Sequence, residues 1–230
     1  LKQMAEPQYA LREKMTLFWH NHFACKTQIA YLAQKQNNLF RKHALDKFGD
    51  LLHAVAKDPA MIQFLNNQQN RKEKPNENFA RELMELFTLG RGNYTEKDIK
   101  EAARAFTGWG FDFSGEYVFR ERQHDFDSKT FFGKTGNFNG DDIINIILEN
   151  PQTAVFIVKK IYKHFVNDKV DETLVQELAI FFTRTDYSIK ALLEKIFSSD
   201  WFYERKNLGT HIKSPVELLV HYQKSFGLDF

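Results

Sequence analysis

The sequence predicts a mainly α protein, a multi-helix bundle with a small antiparallel β-hairpin insertion around residues 109–132. Three observations lead there. Through most of the chain apolar residues recur three and four positions apart, the spacing that builds one face of a helix. Helix-start signals stand ahead of several of these runs: Asp58-Pro59, Thr95 with Asp98, Ser188, and Ser214-Pro215. The rhythm breaks between Gly108 and Gly136, where apolar and polar residues alternate instead.

At 230 residues the chain can bury a substantial core, and 23 Phe, 8 Tyr and 3 Trp imply that rings fill it. With 32 basic against 30 acidic residues the net charge is +2, so no global field favours nucleic acid or an anionic membrane. No apolar run approaches the length of a membrane-spanning segment. Cys25 is the single cysteine, which excludes an internal disulfide and any zinc-knuckle spacing. The first residue is Leu1 and not Met, so no compartment is read from this terminus.

Taken in order, a first long helix opens at Pro7 and carries Leu11, Met15, Phe18 and His22 in one stripe, widened by Trp19 and Phe23. A second is expected from Asn38 to Lys57, with Gly49 as a point of weakness. Asp58 caps a short helix bearing Met61, Ile62, Phe64 and Leu65. The stretch NENFARELMELFTLG, Asn76 to Gly90, reads as a helix with Asn76 as N-cap and Gly90 as its stop. At about 100° per residue, Phe79, Leu83, Leu86 and Phe87 form its core face. Asn78, Glu82 and Glu85 form a polar stripe, with Glu82 at the edge of that face. The helix begun by Thr95 and Asp98 buries Ile99, Ala102, Ala103 and Phe106, and its short connection predicts an antiparallel neighbour. Phe111 and Phe113 then alternate with polar residues, Ser114-Gly115 turns the chain, Tyr117 to Phe119 returns, and Thr130 to Phe132 offers a third strand. The oxygen-rich run from Gly136 to Asp142 lacks the EF-hand ligand spacing and instead caps a helix. Helices at Pro151, Leu174 to Phe182, Ile189 to Phe197 and Ser214-Pro215 complete a C-terminal bundle. The organisation is a single helical domain: an N-terminal half 1–109, a β insertion 110–136 and a C-terminal bundle 137–230.

Ionisable side chains suited to chemistry concentrate in three places. Glu82 and Glu85 are candidate acid/base carboxylates, and His124 with Asp125 is a candidate loop pair, since a carboxylate orients and charges an adjacent imidazole. Arg81, Asn78, Lys129 and Arg104 are candidate binding residues, the cations Arg81 and Lys129 for an anionic group. The segment Trp19 to Phe23 holds two histidines, but residues two apart on a helix point about 200° from each other, so at most one faces any given site. His22 shares the apolar stripe and reads as a hydrogen-bonded core histidine, which leaves His20 as the freer candidate. A divalent metal is the candidate cofactor, with His20, Glu82 and His124 as its ligands. The bland reading stands beside these: Arg81 four residues before Glu85 is a natural ion pair, as are Glu101 and Arg104.

Several motifs in order resemble a widespread bacterial family catalogued as domain of unknown function 1800. They are FWHNHF at 18–23, DPAM at 58–61, PNENFARELMELFTLG at 75–90, YTEKDIKEAARAFTGW at 94–109, HDF and KTFFG around 124–133, GDD at 140–142 and KSPVEL at 213–218. The resemblance covers nearly the whole chain and brings no established reaction. It implies a bacterial, exported or periplasmic setting, a longer parent protein of which this is the central portion, and a sulfatase-like partner encoded nearby. Many relatives carry Asp where Asn66 stands, which argues against an obligatory acid there.

Two functional classes remain open. In one, the polar residues form a buried network that fixes how helices and hairpin dock, in a binding or assembly protein of the cell envelope. In the other, they line the cleft of a metal-dependent or acid/base hydrolase-like enzyme. No P-loop, nucleophile elbow, HExxH or dinucleotide fingerprint is present to support a common mechanism.

Overall fold

Helices dominate the computed structural model, which describes residues 2–227, and the β structure is confined to two small antiparallel hairpins. After α1 (Lys2–Ala5), Pro7 opens only a 3₁₀ turn (Pro7–Tyr9), and the first long helix is α2 (Ala10–His22). The helix expected from Asn38 to Lys57 is two, α3 (Ala30–His43) and α4 (Phe48–Ala56). The break falls ahead of Gly49, because Asp46 to Phe48 pairs with the far end of the chain: Phe48 N donates to Tyr187 O at 2.9 Å and Ile189 N to Asp46 O at 3.0 Å. Asp58 caps α5 (Pro59–Phe64) by accepting from Met61 N.

The central stretch forms α6 (Asn78–Glu82), which continues as a π-helix (Leu83–Thr88), and α7 (Glu96–Ala105) comes next behind a Thr95/Asp98 capping box. The insertion pairs β1 (Trp109–Phe111) with β2 (Tyr117–Phe119) in the register Gly110↔Val118. The strand expected at Thr130 to Phe132 does not join this pair. Instead β3 (Lys129–Phe131) pairs with β4 (Lys134–Gly136) in a second hairpin laid along α7. The bundle is completed by α8 (Gly140–Glu149), α9 (Pro151–Phe165), α10 (Glu172–Arg184), α11 (Ile189–Phe197) and α12 (Pro215–Phe226). Asn139 caps α8 through a capping box with Asp142, and Ser214 caps α12 through one with Glu217.

One apolar cluster runs through the core from Met15 on α2 to Ile196 on α11. Rings fill much of it, as the composition predicts. Trp19 packs on Phe48 with centroids 5.7 Å apart, and Phe79, Phe106 and Trp109 form an edge-to-face chain at 4.9 and 5.1 Å. That chain anchors α6, α7 and the first strand of the insertion to one another.

Candidate functional site

Around Asn76 the chain turns before it coils. Asn76 Oδ1 accepts from Asn78 N at 3.0 Å, an Asx turn that places the helix start two residues past the expected cap. From Leu83 the backbone widens into the π pattern, which Thr88 closes by donating its hydroxyl to Leu83 O at 2.7 Å. A π turn rotates the downstream residues by about one position around the helix axis. Met84 and Leu89 are therefore fully buried, while Leu86, expected on the core face, is 47% exposed. Gly90 ends the element at φ +78°, a left-handed conformation that glycine adopts without strain. The last carbonyls of a helix lack intrahelical donors. Here Phe87 O accepts from His22 Nε2 at 3.0 Å, and Leu86 O from Lys160 Nζ at 3.3 Å, so α2 and α9 both grip the end of this helix.

Glu82 is part-buried and makes no hydrogen bond among the described residues; burial, with Glu85 beside it, raises its carboxyl pKa. Glu85 is not paired with Arg81 as expected. Arg91 and Tyr94 hold it instead, the Tyr94 hydroxyl donating at 2.8 Å, and they lower its pKa. Arg81 turns the other way, to Glu77 at 3.1 Å and Glu96 at 2.8 Å. The loop after Thr88 swings Arg91 back over Glu85, a long-range consequence that a straight helix does not reveal. Asn78 donates its side-chain amide to Leu65 O at 3.2 Å.

The loop candidates gather on α7. Arg104 Nε donates to Asp125 at 2.7 Å, and Arg104 Nη1 donates to Glu101 at 3.0 Å. Glu101 also accepts from Thr130 N at 2.8 Å, and Asp98 from Phe132 N at 3.1 Å, which fastens the second hairpin to the same helix. Burial pushes the Asp125 carboxyl up, but Arg104 and the Asp127 amide outweigh it and leave the pKa below the usual range. His124 is buried against Thr107, donating Nδ1–H to Thr107 O at 2.8 Å, and burial lowers its pKa. Lys129 is 1% exposed and donates to Asp125 O at 2.6 Å and Asp127 O at 2.9 Å. The anion-holding role expected of Arg81 and Lys129 thus has no free cation behind it: one is paired twice, the other closes a loop.

His20 lies exposed on α2 with its ring edge-on to Phe40, at 6.1 Å between centroids. Among the described residues no three His, Cys, Asp or Glu side chains come together as a metal ion requires. The expected ligand set of His20, Glu82 and His124 is therefore not assembled, because its members belong to an exposed face, a helix boundary and a buried loop.

A cleft of about 390 Å³ opens elsewhere, between α2, α9 and the segment before α12. Phe18, Asn21 and His22 supply one wall, and Lys160, Lys163 and His164 supply the other. His211, Ile212 and Asp168 close the rim. Burial, with Lys160 nearby, lowers the His22 pKa to about 3, and burial lowers that of His164 to about 4, so both imidazoles are neutral at physiological pH. Since Phe87 O takes the proton on His22 Nε2, the bare nitrogen is Nδ1, which is buried without a protein partner, as is His164 Nε2. The sequence identifies His22 correctly as a hydrogen-bonded core residue but does not reveal the cleft. The one local signal is Lys160, Lys163 and His164 at i, i+3 and i+4, a polar face on a helix whose apolar stripe is the more conspicuous pattern.

Fold and site together define a helical protein whose β insertion is locked by ion pairs and whose cleft is lined by lysine and histidine. The family model described as protein of unknown function (DUF1800) matches residues 1–227, and the chain belongs to that family. No curated protein and no solved structure matches it.

Proposed function

We propose that the chain is a binding or assembly protein of the bacterial cell envelope, in which the polar cluster on α7 docks the β insertion rather than performing catalysis. The observation that carries this reading is the engagement of every charged group in the cluster: Arg104 with Glu101 and Asp125, Lys129 with two carbonyls, and Asp98 with Phe132 N. A network satisfied in this way rigidifies the elements it holds. Phe126 lies in the segment it holds, and Phe113 and Phe119 lie on the adjoining first hairpin, whose tip Lys35 of α3 fastens through Gly115 O and Glu116; all three rings are exposed, and rigid aromatic side chains are the usual anchors of protein interfaces. The envelope setting comes from the family resemblance. A photo-crosslinking amino acid at Phe113, in cells that express the full protein, is expected to give a discrete adduct with an envelope component. The Phe119→Ser/Phe126→Ser background should abolish that adduct. No adduct at any of the three positions would sink the reading.

The hydrolase-like alternative keeps one supporting observation, the unpaired Glu82 with its raised pKa. Metal analysis of the purified protein and of Glu82→Gln decides it: a bound divalent ion that the variant loses would favour the enzyme.

A further inference from the structure

We propose that the cleft between α2 and α9 is a binding site for a small oxyanion, a phosphate or carboxylate group, held by Lys160 and Lys163, with the unpartnered His164 Nε2 free to donate to it. This is independent of the assembly reading, since it involves neither the insertion nor α7.

The argument begins with charge. On α9, Lys159 has its own carboxylate in Glu172, but the described residues form no salt bridge to Lys160 or Lys163. Lys160 contacts a carbonyl, Leu86 O, and the face of Phe156 at 4.8 Å, both weaker partners than an anion, and burial pulls its pKa below the usual value. A part-buried ammonium without a counter-charge is costly unless something outside the chain supplies one. Asp168 is the one acid lining this cleft, against two lysines, and it lies exposed.

The surroundings extend the same field. A second cavity of about 300 Å³ shares His211 and is lined by Lys14, Lys213 and Lys224. Its acid, Glu217, is already engaged by His211 at 3.1 Å, by Ser214 N at 2.9 Å and by Lys14 at 3.9 Å. Two adjoining cavities thus gather five lysines, one of them paired with Glu217, around that carboxylate and the exposed Asp168, which concentrates anions locally although the whole chain is nearly neutral. The rest of the lining is neutral imidazole and partly apolar. The lysines fix where the negative group sits, and Phe18 and Ile212 leave room for an organic remainder.

Calorimetry or amide NMR on the full chain at low ionic strength tests this with inorganic phosphate and citrate as separate probes. Saturable binding is expected for at least one, with chloride at matched ionic strength without effect. Phosphate alone identifies a tetrahedral oxyanion; citrate alone identifies a carboxylate. Lys160→Gln and Lys163→Gln should each weaken binding by about ten-fold or more. Lys190→Gln, which removes an exposed lysine on α11, should not. Lys163 is exposed, so its variant should retain the fold even where Lys160→Gln loosens the helix contact. Absence of saturation with both probes, or equal weakening in Lys190→Gln, would overturn the assignment.

Discussion

Asp58 is held in two incompatible ways. As N-cap of α5 it accepts from Met61 N at 3.0 Å and from Gln36 Nε2 at 2.8 Å, yet it is 2% exposed and its second oxygen has no partner. Burial outweighs the hydrogen bonds and pushes its carboxyl pKa from 3.8 up to about 6. Between these two values the folded chain keeps a proton that the unfolded chain has released, so the carboxyl stabilises the fold most at low pH, loses that contribution as pH rises to about 6, and is flat above. Asp58→Asn preserves the cap without the charge. It is expected to flatten this part of the profile and to raise stability at pH 7 by about 1–2 kcal/mol. Urea unfolding at a series of pH values checks it, and a variant as pH-sensitive as the wild type would refute the account. Gly140 presents a steric counterpart. A Cβ there would lie 2.4 Å from Trp109 Cζ2 and 2.5 Å from Phe106 Cδ1, and both rings are buried in the chain that joins α7 to the insertion. Gly140→Ala should cost about 1–3 kcal/mol by overpacking, seen as a lowered melting temperature.

Within α7 a single carboxylate links two elements. Asp98 completes the capping box with Thr95 and, through its other oxygen, accepts from Phe132 N beside β3. Asp98→Ala removes both and should cost about 2–3 kcal/mol, more than a cap alone. It should also speed hydrogen exchange at the Phe132 amide; unchanged exchange there would mean that the carboxylate does not hold the hairpin. The cap was legible because Thr95 and Asp98 stand three residues apart, and the same holds for Asp58-Pro59 and Ser214-Pro215. The π turn was not, since a wider hydrogen-bond pattern asks for no particular residues, and Leu86 satisfies a regular helix as well as Leu83 does. The first turns of α3 were missed for a different reason: in Ala30 to Gln36 only Leu32 and Gln36 are buried, too few to set a periodic stripe. The ion pairs of the candidate site were half legible. Glu101 and Arg104 are neighbours on one helix, whereas Arg91 reaches Glu85 only because the chain reverses after Gly90. The cleft draws on α2, α9 and His211, segments too far apart in sequence for any local pattern to unite.

For the molecule as a whole, the question is whether the N-terminal half and the C-terminal bundle unfold as one unit. Three kinds of contact join them. The backbone around Lys47 pairs with that around Ser188, His53 and Lys57 both reach Asp141, and the apolar cluster is continuous from α2 to α11. The exposed ion pairs contribute little to this coupling. The shared core carries it, because removing either half would bare the apolar face of the other. Phe79 lies in the N-terminal half and Leu193 in the C-terminal bundle, and each is no more than 1% exposed. Phe79→Ala should cost about 3–5 kcal/mol and Leu193→Ala about 2–5 kcal/mol. Each should move one common transition, followed by near-UV and far-UV circular dichroism, and leave the two signals coincident. A Leu193→Ala protein whose far-UV signal melts in two steps, with the near-UV signal tracking only the second, would show that the C-terminal bundle is a separate folding unit. The single-domain organisation read from the sequence would then give way to two.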